Sequence, residues 1–204
     1  MRVIAGTYRG RTINPVPGRI TRPTTDRIRE AWASSVGSLL PAGFEGITTL
    51  DAFAGSGALG IEALSRGAAH VVFCESNSKA VEVLRQNLSI INGKIHTASV
   101  IPWDIFSSRA LKTLGRSNPF QLLILDPPYG FTAARVSSLL QTIICSRLLS
   151  DGALISYEHQ KPDDSNSDAS VLVSTGSLDS CKMVSCKTYG NTRIEYLIYQ
   201  EATR

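Results

Sequence analysis

Asp126, Pro127, Pro128 and Tyr129 form a short group whose residue types could do chemistry. They follow an aliphatic run, residues 122–125, that is typical of a strand buried on both faces of a parallel sheet. Because two prolines fix the backbone and cannot continue a ladder, the acid and the aromatic ring are held stiffly at the carboxyl end of that strand, where open α/β sheets bind ligands. A carboxylate, a backbone carbonyl and an aromatic ring suit a flat substrate that carries an amino group. We therefore predict a catalytic corner here.

A glycine-rich turn earlier in the chain indicates a cofactor site. Gly55, Gly57 and Gly60 have the spacing of the dinucleotide fingerprint, and Glu75 ends the next strand. On this pattern an NAD enzyme competes with an enzyme that binds S-adenosylmethionine. Asp51 lies only four residues before the first glycine. A carboxylate so close would not help to bind a pyrophosphate, whereas a cationic or hydroxylated ligand would contact it, and this favours S-adenosylmethionine.

With S-adenosylmethionine as the ligand, each strand end receives a role. Glu75 would accept hydrogen bonds from both ribose hydroxyls. Asp104 would meet the adenine amino group, with Ile105 or Trp103 packing on the ring. The predicted cofactor contacts are Asp51, Phe53, Gly55, Ser56, Gly57, Glu75, Ser76, Asp104 and Ile105.

Strands and helices alternate along the chain, and this pattern positions those groups at one sheet edge. Helices are predicted from the glycine turn to residues 66–67, over 78–91 and over 134–149. A strand is predicted over 153–157, a polar surface loop over 161–170, and a strand–turn–strand hairpin over 182–199. The predicted fold class is α/β, with a Rossmann-like, mostly parallel sheet and a C-terminal antiparallel hairpin.

The N-terminal segment carries the excess positive charge. Residues 1–35 hold seven arginines against two acids, whereas the remainder holds 14 basic and 15 acidic residues. Arginine makes bidentate phosphate contacts and stacks on bases, so we predict a nucleic-acid-facing extension over 1–42, a hairpin followed by a helix, ahead of a catalytic domain over 43–204. The arginines predicted to contact nucleic acid are Arg9, Arg11, Arg22 and Arg27. For Arg27 and Arg29, which share a helix, contact with solvent and contact with a phosphate both stay open.

Composition narrows the class of protein. With 204 residues and 43% hydrophobic content, the chain can bury a full core, and no apolar run is long enough to cross a bilayer. Four scattered cysteines form no Cys-x-x-Cys pair, and no histidine stands at metal spacing. We therefore predict a cytoplasmic protein with reduced cysteines, no metal and no membrane partner.

These motifs, in this order, resemble a known family. The stretch 51–57 is similar to the cofactor motif of class I methyltransferases, and 126–129 to the (Asp/Asn)-Pro-Pro-(Tyr/Phe) motif of enzymes that methylate amino groups. Together with 1–10, 22–30 and the turn around Gly190, they resemble the bacterial RsmD family. That resemblance implies methylation of N2 of a guanine in 16S ribosomal RNA, with S-adenosylmethionine as donor and the small ribosomal subunit or its assembly intermediate as partner of a monomeric enzyme.

Two alternatives stay open on the residues alone. Because guanine N2 and adenine N6 are both exocyclic amines, the corner at Asp126 does not distinguish them, and an adenine-N6 methyltransferase acting on RNA or DNA is the nearest alternative. A ribosome-assembly factor that binds RNA without turnover is more distant, because such a protein has no need of the intact motif from Asp126 to Tyr129.

Overall fold

The computed structural model describes residues 1–17, 26–91, 97–128, 130–161, 170–175 and 178–201. The helices are α1 Asp26–Leu39, α2 Ala58–Ser65, α3 Ser78–Ile91, α4 Ser108–Leu114, α5 Ala133–Cys145 and α6 Val171–Thr175. The strands are β1 Thr48–Asp51, β2 His70–Cys74, β3 Ala98–Ile101, β4 Phe120–Leu125, β5 Leu149–Gln160, β6 Cys181–Tyr189 and β7 Thr192–Tyr199.

The strands form one sheet in the order β3-β2-β1-β4-β5-β7-β6. The first five strands are parallel, and β7 pairs antiparallel with both β5 and β6. The predicted mostly parallel sheet with a C-terminal antiparallel hairpin is therefore confirmed. The aliphatic run in β4 is buried on both faces, as a central strand requires. The carboxyl ends of five neighbouring strands consequently meet at one edge.

The N-terminal segment packs against the main sheet and α2. Residues 1–3 pair antiparallel with residues 10–13, through a bridge between Arg2 and Thr12 and backbone hydrogen bonds that include Val3 N–H to the Arg11 carbonyl and Ile13 N–H to the Met1 carbonyl. The Glu62 carboxylate of α2 accepts hydrogen bonds from the backbone N–H groups of Ile4 and Ala5, at 2.9 and 3.1 Å. Buried residues of this segment and of α1 belong to the same hydrophobic cluster as residues of β2, β4 and β5.

Two predicted boundaries were wrong, and two short helices were missed. The helix predicted over 134–149 ends at Cys145, because Arg147 adopts a positive φ of 53° that breaks the helical path. The following strand, β5, is longer than the predicted 153–157 and starts at Leu149. Helices α4 and α6 have only 7 and 5 residues, too few to show a periodic apolar pattern.

Candidate active site

Five acidic side chains lie along the carboxyl edge of the parallel strands. Asp104 follows β3, Glu75 follows β2, Asp51 ends β1, Asp126 follows β4 and Glu158 lies near the end of β5. All five line one cavity of about 350 Å³. The strand order therefore divides the cavity into an end near β3, β2 and β1 and an end near β4 and β5.

The glycine turn is held by two of these acids. Glu75 Oε2 accepts a hydrogen bond from the Gly55 N–H at 2.8 Å, and Asp51 Oδ2 accepts one from the Gly60 N–H at 3.1 Å. Gly57 precedes α2 with a φ of 84°, a left-handed conformation that glycine adopts without strain. A Cβ on Gly60 would lie only 2.3 Å from the Phe73 ring, so the helix can approach β2 this closely only with glycine there.

Burial gives Asp51 unusual acid–base behaviour. Loss of hydration, the main cause, and the negative charge of Asp126, the second, raise the pKa of its carboxyl from 3.8 to about 7. Near neutral pH the protonated and ionised forms of the carboxyl are therefore both populated. A cationic or hydrogen-bond-donating ligand in the cavity would favour the ionised form.

The cavity end near β3 offers a flat apolar slot beside a carboxylate. Ile105 is only 2% exposed, and it lines the cavity together with Trp103 and Asp104. Asp104 Oδ1 accepts a hydrogen bond from the Phe106 N–H at 3.1 Å, which fixes the carboxylate at the rim. The guanidinium of Arg109 lies over the Trp103 ring, 3.9 Å from its centroid.

Ser56, Ser76 and Phe53, also predicted as cofactor contacts, line the same cavity, and Gly57 is set behind it at the start of α2. Phe53 belongs to an aromatic cluster, because its ring meets that of Phe131 edge-on with the centroids 5.8 Å apart. Both rings line the cavity and give it an apolar surface.

The predicted catalytic corner lies at the other end. Asp126, Pro127 and Pro128 line the cavity, and the Pro128 carbonyl accepts a hydrogen bond from the Phe131 N–H at 2.9 Å, which closes a turn. Tyr129 lies outside the described residues. The corner thus stands across the same cavity from the glycine turn.

The predicted RNA-binding arginines have different surroundings. Arg9 and Arg27 are exposed, and Arg22 lies outside the described residues. Nη1 of Arg11 donates hydrogen bonds to the carbonyls of Ile90 and Ile91, at 2.7 and 2.9 Å, and so caps the carboxyl end of α3. Arg11 therefore has a structural role in addition to any contact with RNA.

Among the charged residues that line the cavity, sequence reasoning missed Glu158 and left Arg29 undecided. Glu158 was missed because the predicted strand stopped one residue before it, although an acid at a fifth strand end is the same signal as the other four. Arg29, whose surroundings were left open, is 0% exposed and lines the cavity.

The described residues contain neither a metal-binding group nor a membrane-spanning helix. Within those ranges, no group of histidine, cysteine and acidic side chains could hold a metal ion, and all four cysteines are free thiols. The described helices include none with the length and apolar character needed to cross a membrane.

The sheet order, the glycine turn after β1 and the acid after β2 define the class I methyltransferase fold. The solved structure of the Escherichia coli protein yhhF, described as a candidate methyltransferase, has a TM-score of 0.77 and 29% identity, and the match covers 98% of each chain. A magnesium protoporphyrin IX methyltransferase from Synechocystis, solved with bound S-adenosylmethionine, has a TM-score of 0.61 over 84% of this chain and 79% of that one. At 16% identity it shows a shared fold alone.

Sequence relatives identify the family within this class. The family model described as Conserved hypothetical protein 95 matches residues 1–198. Ribosomal RNA small subunit methyltransferase D of Escherichia coli strain K12 is 35% identical over 164 residues, 78% of this chain and 75% of the relative. YlbH of Bacillus subtilis, described as a candidate rRNA methyltransferase, is 38% identical over 162 residues, 79% and 83% of the two chains. The chain belongs to this family, the RsmD family, and the predicted resemblance is confirmed.

Proposed function

We propose that the protein transfers a methyl group from S-adenosylmethionine to the exocyclic N2 of a guanine in 16S ribosomal RNA. One observation carries the proposal: the corner at Asp126, Pro127 and Pro128 lies in the wall of the same cavity as the glycine turn and its acids. Family relatives named as ribosomal RNA small subunit methyltransferases support the type of substrate. The partner is then 16S RNA in the small subunit or its assembly intermediate, and the enzyme acts in the cytoplasm as a monomer.

The acids of the cavity suit a ligand that carries hydroxyls and a positive charge. We assign Glu75 to the ribose hydroxyls, and Asp104 and Ile105 to the planar base. Burial raises the pKa of Asp51 to about 7, so a positively charged ligand would stabilise the ionised form of this carboxyl. Bound S-adenosylmethionine supplies an electrophilic methyl group.

The residues of the chain then have to position the amine. The lone pair of an exocyclic amine is delocalised into the ring, so the nitrogen needs exact placement and orientation more than strong base catalysis. The Asp126 carboxylate and the Pro127 carbonyl accept its hydrogen bonds and turn the lone pair toward the methyl group. Such positioning can lower a barrier by ~7–11 kcal/mol in favourable cases. The proton released on N–C bond formation passes to Asp126 or to water.

Tyr129 and Pro128 complete this assignment. A tyrosine directly after the two prolines would stack on the target base, which has to leave its RNA stack to enter the cavity. Pro128 stiffens the backbone after Asp126, and its carbonyl accepts a hydrogen bond from the Phe131 N–H.

A methyl-transfer assay tests the function. Radiolabelled S-adenosylmethionine is supplied with naked 16S transcript and with undermethylated small subunits, and the labelled nucleoside is identified and mapped. We expect N2-methylguanosine at a single position. N6-methyladenosine would show the adenine alternative to be correct. Binding of cofactor and RNA without label in either substrate would favour the assembly factor.

Arg9 and Arg11 are expected to differ when each is changed to alanine. If Arg9 contacts a phosphate, its loss should flatten the slope of log K against log salt by about 0.7, with no change in melting temperature. Arg11→Ala should lower the melting temperature, because α3 loses its carboxyl-terminal cap, worth about 1 kcal/mol. Arg116→Ala, a change of an exposed arginine at the opposite edge of the sheet, is the matched control and should alter neither the slope nor the melting temperature. An unchanged slope in folded Arg9→Ala would remove this arginine from the RNA interface.

A further inference from the structure

Helix α1 crosses the face of β5 near the substrate end of the cavity. The indole Nε1 of Trp32 donates a hydrogen bond to Ser156 Oγ at 2.9 Å, with both groups buried. Arg29 lies one helical turn before Trp32, and Glu158 lies two residues beyond Ser156 on the same face of the strand. The periods of helix and strand therefore bring Arg29 and Glu158 to the same corner, and both line the cavity.

Arg29 brings unused hydrogen-bond donors to this corner. Its Nη2 donates to the Arg2 carbonyl at 2.8 Å and to Asp26 Oδ1 at 2.6 Å. Its Nε and Nη1 are also buried, and they have no hydrogen-bond partner within the described ranges. Since an unsatisfied buried donor is costly and calls for an explanation, these two groups indicate an acceptor that arrives with a ligand.

Glu158 brings an acceptor, and the strand register places it beside Asp126. Leu125 of β4 pairs with Tyr157 of β5, so the next residues of the two strands are Asp126 and Glu158. Adjacent strands lie about 4.8 Å apart. Glu158 is 8% exposed, and its carboxylate can accept several hydrogen bonds at once. Asp126 and Glu158 are thus neighbours at the ends of β4 and β5, and Arg29 reaches the same cavity from α1.

We infer that Glu158 and Arg29 select guanine over adenine as the target base. The Watson–Crick edge of guanine presents, in order, the N2 amine as donor, N1–H as donor and O6 as acceptor. That order matches Asp126 as acceptor, Glu158 as acceptor and Arg29 as donor. Adenine with its N6 amine at Asp126 would turn the N1 lone pair toward the Glu158 carboxylate and leave Arg29 without an acceptor.

This inference rests on the proposed function, and it supplies the specificity that the corner at Asp126 lacks. An exocyclic amine alone satisfies Asp126 and the Pro127 carbonyl in either base. Sites that hydrogen-bond a substrate group reject analogues without it far more strongly than apolar pockets do, because their own buried polar groups are left unpaired. Glu158 and Arg29 are both buried, which is the condition for such rejection.

The test uses full-length 16S transcripts with guanine or adenine at the mapped position. The wild-type enzyme should prefer guanine by about 100-fold or more in kcat/KM, since each wrong pairing costs roughly 1–3 kcal/mol. In Glu158→Gln the side-chain amide can donate to adenine N1. We expect kcat/KM of this variant to fall at least tenfold on the guanine transcript and to rise on the adenine transcript. In Arg29→Lys, kcat/KM should fall on the guanine transcript alone.

Controls separate this inference from the proposed function. Glu30→Gln, an exposed change beside Arg29, should leave the ratio of the two transcripts unaltered. Melting temperature and S-adenosylhomocysteine affinity show whether each variant is folded with its cofactor end intact. If folded Glu158→Gln keeps the wild-type ratio, Glu158 does not read the base, although guanine methylation stands. If the wild-type enzyme labels no guanine, the proposed function itself is wrong.

Discussion

Asp126→Ala is expected to lower the rate of methyl transfer by roughly 100-fold or more, the effect of removing one group that orients a substrate or takes its proton. Cofactor affinity should stay within a few-fold, because Asp126 is assigned to the substrate amine and Glu75 and Asp104 hold the opposite end of the cavity. Single-turnover assays with excess enzyme measure the rate, and calorimetry with S-adenosylhomocysteine measures the affinity.

Two changes at Tyr129 accompany this test. Tyr129→Phe keeps the ring and should retain most activity, whereas Tyr129→Ala should lose the stacking energy, ~1–3 kcal/mol per base. If Tyr129→Phe were as inactive as Asp126→Ala, the hydroxyl would take part in the chemistry and the stacking role would be wrong. If Asp126→Ala instead lost cofactor affinity, the division of the cavity into two ends would be wrong.

The meeting of the strand-end acids at one cavity was predictable because it depends on local rules. Parallel strands end at one edge, so Asp51, Glu75 and Asp126, each recognisable as a strand end, had to approach one another there. The glycine turn is a local motif that needs only a strand before it and a helix after it. The same logic gave the mostly parallel sheet.

The substrate end depends on contacts between residues distant in sequence. Arg29 lies at helical spacing with the buried Trp32, unlike the exposed Arg27, but its hydrogen-bond partners include the Arg2 carbonyl 27 residues away. Arg11 appeared to be displayed, yet its partners are carbonyls of α3 about 80 residues away. Glu158 was missed because the predicted strand ended at residue 157, three residues before the end of β5. Partners distant in sequence, such as those of Arg11, therefore have no local signal.

The largest expected effect on the cofactor comes from Glu75. Its Oε2 accepts a hydrogen bond from the Gly55 N–H and its Oε1 one from the Asn77 N–H, both at 2.8 Å. The same carboxylate is assigned to the ribose hydroxyls. Glu75→Ala should weaken S-adenosylhomocysteine binding by roughly 1.5–3 kcal/mol, the worth of hydrogen bonds to a charged group. Calorimetry measures this change, and NADH should show no binding to the wild-type protein.

Glu75→Gln separates the two roles of this side chain. Glutamine keeps one oxygen that can accept from the Gly55 N–H, but its NH₂ group then faces the Asn77 N–H. The melting temperature should therefore fall less than in Glu75→Ala, while affinity still falls because the amide offers one acceptor oxygen where the carboxylate offers two. Glu82→Ala, an exposed change on α3, controls for loss of negative charge nearby. If Glu75→Gln and Glu75→Ala bound S-adenosylhomocysteine like the wild type, Glu75 would only support the glycine turn. Tight NADH binding would instead show that the site binds a dinucleotide, because the cavity would then accept a pyrophosphate beside Asp51.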